Sequence, residues 1–259
     1  MPGTLVRMRR SVGTKPPSIF TPTASRPRFS EFGRRPTEVA YECGLLGPNT
    51  VAAHCVWLSD TEIGLMRDTG TQISHNPTSN AKLGVGVARV LDYRQAGINV
   101  GLGHDSTEGV NTGDLFEVMK FASLVQRAVR MDADLLGASD LLGMATRNGS
   151  AALGHDTGVL AEGKKADVIV IDLDDLGFTP LVPGNRDHLY SHLAFAASGR
   201  AVRTVVIDGV PVMEDRELLT VDEDEVMAEA NEAFVRVLEK AGVRFVQANM
   251  ADRSERDRP

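Results

Sequence analysis

Three short apolar runs, in chain order, each lead into a residue that can bind metal or move a proton. Val51-Ala52-Ala53 runs into His54, Gln72-Ile73-Ser74 into His75, and Val100-Gly101-Leu102-Gly103 towards Asp105. Between them lie segments with helical periodicity: Pro36–Glu42, a stretch opened by Ser59-Asp60, about Val85–Gln95, and Asp114 to about Arg130. Strands expected at Val51–Cys55, Gln72–His75 and Asn99–Gly103, each separated by one helix, imply right-handed crossovers and a parallel sheet. Polar groups at the C-terminal ends of such strands are where barrel enzymes keep their chemistry. A closed barrel needs eight strands and about 250 residues, so the stretch from 51 to 130 reads as part of one.

After a helix expected from the Ser139-Asp140 cap, the chain turns β-rich. Lys165–Asp172 and Val202–Val210 read as strands, and Asp208-Gly209 between apolar runs is a type I′ hairpin signal. Val221–Ala241 then reads as an amphipathic, acidic C-terminal helix. The expected organisation is a disordered, basic, Pro-rich segment at 1–30, a barrel part at 31–155, a β unit at 156–220, and the C-terminal helix and tail at 221–259.

Charge excludes one class of function. Residues 1–36 carry eight Lys and Arg against the single acid Glu31, whereas the rest of the chain has a net charge of −14. An acidic body is a poor match for phosphate neutralisation, so no nucleic-acid partner is expected. No apolar run approaches the ~20 residues of a membrane span, so no membrane partner is expected either. Two cysteines, Cys43 and Cys55, make no disulfide framework, which fits a reducing cytoplasm. The Arg- and Ser-rich start has three readings: a basic tail, an organelle transit peptide, or the one given below.

Four motifs carry a resemblance: Ala53-His54-Cys55-Val56; Ser74-His75-Asn76-Pro77-x-Ser79-Asn80-x-Lys82-Leu83; Gly101-Leu102-Gly103-x-Asp105; and Gly158-x-Leu160-x-Glu162-Gly163-Lys164-x-Ala166-Asp167. The segment from about Glu31 to Gly242 resembles the C-terminal half of the amidohydrolase superfamily. The match is to its chlorohydrolase and aminohydrolase branch, which holds methylthioadenosine/S-adenosylhomocysteine deaminases, guanine deaminases and triazine hydrolases. The resemblance implies an α/β fold: a partial (β/α)8 TIM-type barrel (the last strands), part of a composite β-sandwich domain, and a C-terminal helix. It also implies a metal-dependent hydrolase acting on non-peptide C–N bonds, deaminating an aminated heterocycle such as a purine nucleoside or a triazine.

Residue by residue, the resemblance makes Asp105 a metal ligand and proton acceptor, and His54 the group that orients water or polarises the reacting bond. Read from the residues alone, Asp105 can also be a turn aspartate and His54 a packed core histidine. His75 is expected to line the substrate pocket, with Asn80 and Asn111 as further substrate contacts; for Asn80 and Lys82 a role in tying the loop stands evenly beside substrate contact. Proline after Asn76 is expected to keep the chain extended and turn it over the site. His104 stands where relatives commonly have Thr, and strand alternation aims it away from Asp105. His188 and His192 have helix-face metal spacing and read as surface residues.

A hydrolytic metal, zinc or iron in this family, needs about three protein ligands with one position open. The family's His-x-His pair and its His-x-x-Glu motif are absent from these 259 residues, so Asp105 lacks co-ligands and no tight catalytic metal is expected. Glu31-Phe32-Gly33-Arg34-Arg35-Pro36 resembles the stretch downstream of the missing His-x-x-Glu strand. Ile19-Phe20-Thr21-Pro22-Thr23 just before it, read two nucleotides later, would encode Leu-His-x-His. The third reading of the N-terminus is therefore a frameshift, in a truncated chain. The alternative function is a catalytically inactive remnant that acts through partner binding or not at all. Expected partners are the heterocyclic substrate and either a homo-oligomer or a complementing N-terminal fragment.

Overall fold

Short β-branched and small apolar runs, punctuated by capped helices, build two sheets. The structure, a computed structural model, describes residues 17–22 and 33–243. The first part runs β1 (Ser18–Phe20), α1 (Pro36–Glu42), β2 (Thr50–Ala53), α2 (Asp60–Thr69), β3 (Gln72–His75), α3 (Pro77–Lys82), α4 (Val90–Gln95) and β4 (Val100–Leu102). It continues with α5 (Thr107–Val110), α6 (Leu115–Arg130), α7 (Ala138–Ala145) and α8 (Arg147–Leu153). The strands form one parallel sheet in the order β1-β2-β3-β4.

Register and alternation give this sheet two unlike faces. Phe20, Ala52, Ile73 and Val100 stand in one row and pack under Leu58, Met66, Tyr93, Met119 and Ala122 as the main core. Ala53, Ser74 and Gly101 stand in a row on the other face. A Cβ on Gly101 would lie 3.1 Å from Gly149 Cα, so glycine there lets α8 approach the sheet backbone. At the strand starts Asn99 Nδ2 donates to Gln72 Oε1 (2.6 Å) and to Asn148 O (3.0 Å), while Asn148 Nδ2 donates to Val100 O (3.0 Å).

The chain then forms β5 (Val168–Ile171), α9 (Arg186–Phe195), β6 (Val202–Ile207), β7 (Val210–Glu214), β8 (Glu217–Leu218) and α10 (Glu223–Lys240). The four strands make an antiparallel sheet in sequence order. Asp208 and Gly209 both have positive φ (50° and 80°), as a type I′ turn needs. Helix α9 belongs to this second stretch yet packs against α6 and α7, with Arg127 over the Phe195 ring at 5.2 Å. Among the described residues, no helix is long and apolar enough to cross a membrane.

Several expectations change. Ser18–Phe20 is a strand paired to β2, so the expected disorder of 1–30 does not hold there; the other residues of that segment, apart from 17, 21 and 22, lie outside the described ones. Pro77 does not keep the chain extended: it is the first residue of α3, where its fixed φ and missing N–H fit a helix start. The helix expected from Val85 begins at Val90: Gly86, at φ 118°, is outside the helical region, and a Cβ there would run into Trp57 and Val56. The cap of α7 is Gly137, not Ser139, and Asp140 instead pairs with Arg94 at 2.5 Å.

Candidate functional site

Strand β2 ends at Ala53, and the next two residues turn sharply. His54 and Cys55 have φ of 66° and 51°, and the Cys55 N–H donates back to Ala53 O at 2.8 Å. An i to i+2 hydrogen bond around a positive-φ residue is a rare, strained γ-turn. The surroundings hold it. Tyr93 Oη donates to Cys55 O (2.5 Å), and the His54 N–H donates to Ser74 O (2.9 Å). Burial pushes the Cys55 thiol pKa far up, with Glu62 adding to the effect, so Cys55 is a packing group and no nucleophile.

Asp105 also has positive φ, 71°. Its Oδ2 accepts the Ser79 hydroxyl at 2.5 Å and its Oδ1 accepts the Ser106 N–H at 2.8 Å. His54 Nε2 lies 3.7 Å from Asp105 Oδ2. The other ring nitrogen, Nδ1, is 2.8 Å from Asn80 Oδ1. A carbonyl oxygen only accepts, so Nδ1 carries a hydrogen, and Nε2 is the ring atom turned towards Asp105. Both side chains keep some access, 13% for His54 and 29% for Asp105. Strained backbone at the ends of two strands, with a histidine and a carboxylate brought together, is the usual mark of a working site.

His75 is placed elsewhere. It follows Ser74 by one residue, so it points to the helix-covered face, and it is 1% exposed. It borders a small cleft with Pro77, Asn80, Val87, Ala88 and Val125. Burial, and then the nearby charge of His54, push its pKa down to about 3. His75 and Asn80, the expected substrate contacts, are both buried, Asn80 at 2%, and the Asn80 side chain supports the His54 ring. Alternation, which was applied to His104, carried the signal for His75 as well. Asn111, exposed at φ 67°, receives Lys82 Nζ on its Oδ1 and stands at the rim. His104 is half-buried.

The donor set for a metal is short. Among the described residues no group of three or more His, Cys, Asp or Glu side chains is placed to hold an ion. His54 and Asp105 are two donors where a catalytic zinc takes three, so these residues alone do not fit one. His188 and His192 do not either. Val182 N–H donates to His188 Nδ1 (3.1 Å), His192 Nδ1 lies 2.7 Å from Gly177 O, and the two Nε2 atoms are 3.2 Å apart. These partners fix both tautomers so that the Nε2 atoms bond to each other.

Residues 25–212 match the model of the amidohydrolase family. The chain is 44% identical over 210 residues to a 5-methylthioadenosine/S-adenosylhomocysteine deaminase of Acetivibrio thermocellus, covering 80% of this chain and 48% of that protein. It is 41% identical over 204 residues to a 5'-deoxyadenosine deaminase of Methanosarcina mazei, covering 78% and 46%. In structure it is similar to a zinc-bound adenosine deaminase from Xanthomonas campestris, with a TM-score of 0.76, 32% identity, and coverage of 81% and 47%. It is also similar to a zinc-complexed atrazine chlorohydrolase from Arthrobacter aurescens, with a TM-score of 0.71, 26% identity, and coverage of 79% and 45%. The chain thus spans about half the length of the curated relatives it matches.

Proposed function

This chain belongs to the amidohydrolase family, and from that premise we propose that it carries the proton-handling side of a hydrolase that deaminates an aminated heterocycle. The fold and the relatives support a TIM-type barrel, of which β1 to β4 supply four consecutive strands, with β5 to β8 as part of a composite β-sandwich. Adenosine-type nucleosides are the favoured substrates, since the relatives at 44% and 41% identity are nucleoside deaminases; a triazine is second. The single observation that carries the reading is the meeting of His54 and Asp105 at the C-terminal ends of β2 and β4.

Deamination adds the oxygen of water to the ring carbon and releases ammonia, so one proton must leave the water and reach the departing nitrogen. Asp105 is anchored by Ser79 and Ser106 and accepts the proton from water. His54, locked in one tautomer by Asn80, offers Nε2 as the next carrier. The 3.7 Å between them exceeds a direct hydrogen bond, and the two atoms are close enough to contact the same water or reacting group from one side. A metal of the kind seen in the zinc-bound neighbours would need donors beyond the described residues, and no step here runs through one. Asn111 and Lys82 at the rim are the proposed substrate contacts.

The same donor count favours a second reading, a catalytically inactive chain that acts by binding a partner. Mixing the purified chain with zinc and the N-terminal half of the Acetivibrio thermocellus relative separates the two. Ammonia release from methylthioadenosine should appear only in the mixture and fall about 100-fold or more with Asp105→Asn or His54→Asn. Stable association without turnover would leave the binding reading standing and remove the catalytic one.

A further inference from the structure

Helix α10 is 18 residues long, about 27 Å, and none of its residues is buried. Helices in proteins draw most of their stability from packing an apolar face, yet here every residue except Leu238 is exposed. Most of the larger apolar residues share one side, although Val235 lies opposite them. Val226, Met227, Ala230, Ala233, Phe234 and Val237 fall within an arc of about 120° at 100° per residue, with Val226, Met227, Phe234 and Val237 between 50% and 60% exposed. Met227, Ala230, Phe234 and Val237 follow the 3-4-3 spacing of a two-helix seam. Among the described residues nothing covers this stripe.

The charges beside the stripe say what would. Glu225, Glu229, Arg236 and Lys240 lie on one flank, acidic towards the start of the helix and basic towards its end. Two helices that pack antiparallel about a twofold axis bring this same flank together in reverse order. An axis crossing between Glu232 and Ala233 sets Glu229 across from Arg236 of the second copy and Glu225 across from its Lys240, each pair occurring twice. At that register Phe234 is level with the gap between the small Ala230 and Ala233 of the other copy, so a large side chain meets a hollow. A parallel pair would instead set the acidic starts side by side.

We infer that α10 is a self-association element through which two copies of this chain pair antiparallel along the Val226–Val237 stripe. The apolar stripe supplies the attraction. The flanking pairs, each exposed and individually weak, set the orientation. Arg236 also lies 3.5 Å from Glu232 of its own helix, an exposed contact too long to hold it away from a second copy. One helix pair is a small interface, so the dissociation constant should be on the order of 10 μM.

Sedimentation equilibrium of the full chain from about 5 to about 200 μM should show the mass rising from 27.9 kDa towards twice that value. Phe234→Glu should weaken association at least about tenfold. Arg236→Glu should weaken it less, and adding Glu229→Arg should restore it, since the swap re-forms every pair. Orientation is read by mild oxidation in a Cys43→Ser background. Ala233→Cys, beside the axis, should form a disulfide-linked dimer, whereas two copies of Met227→Cys lie about 16 Å apart along the axis and should not. A chain that stays monomeric at every loading, a dimer untouched by Phe234→Glu, or equal cross-linking at 227 and 233 would each overturn the inference. A monomer whose melting temperature drops with Phe234→Glu would show the stripe to be covered within its own chain.

Discussion

Asn80 decides which ring nitrogen of His54 faces Asp105, so the residue to test first touches no reacting atom. Asn80→Ala removes the acceptor of the His54 Nδ1–H and should cost about 1–3 kcal/mol of stability, as for other broken buried hydrogen bonds. It should also free the tautomer, and nitrogen NMR of His54 should shift from one form to a mixture. An unchanged spectrum would mean that the tautomer is set elsewhere. His75 gives a second test. Its pKa in the folded chain is about 3, against an ordinary value near 6.5. Below pH 6.5 the unfolded chain takes up a proton that the folded one refuses, so folding loses stability as pH falls from 6.5 towards 3. The slope is at most about 1.4 kcal/mol per pH unit for one proton. His75→Gln should flatten that part of the urea-midpoint profile between pH 6.5 and 5; a parallel profile would show His75 to be protonated in the fold.

Elements differ in how far their own residues announce them. Helix α2 shows every signal, with Ser59 as N-cap, Glu62 closing the capping box and Gly70 at φ 70° ending it, and β3 has the bounds that its pattern predicts. Strand β1 does not: three residues between Pro16-Pro17 and Pro22 have no periodicity to read, and pairing with β2 alone makes them a strand. Helix α3 was hidden because a proline after a strand reads as extension until its role as a first helical residue is considered. At the site, the motifs pointed to His54 and Asp105. The inward side of Asn80 depends on where α3 begins, and the helix-covered side of His75 follows from alternation with Ser74. Gly101 tests the packing of two elements. With Gly149 Cα 3.1 Å from where its Cβ would be, Gly101→Val should push α8 off the sheet and cost about 1–3 kcal/mol in chemical denaturation. A smaller loss would mean that α8 is loosely held.

Across the whole molecule the two sheets are unequal. Ala52, Ile73 and Val100 of the parallel sheet are at most 1% exposed, whereas Ile169, Val170, Ile207 and Val210 of the antiparallel one are 48–60% exposed. Hydrogen exchange should therefore be slower at β2, β3 and β4 than at β5, β6 and β7; equal protection would mean that the second sheet is covered in solution. The parallel sheet is itself divided end from end. Gln72, Asn99 and Asn148 lace its strand starts to α8, while His54 and Asp105 stand at the finishes. A lineage built this way can rewrite the loops at one end while the other keeps the chain folded. Proteins named as a deaminase and as a chlorohydrolase share this backbone at 32% and 26% identity with the chain. Inheritance and invention occupy opposite ends of the same few strands.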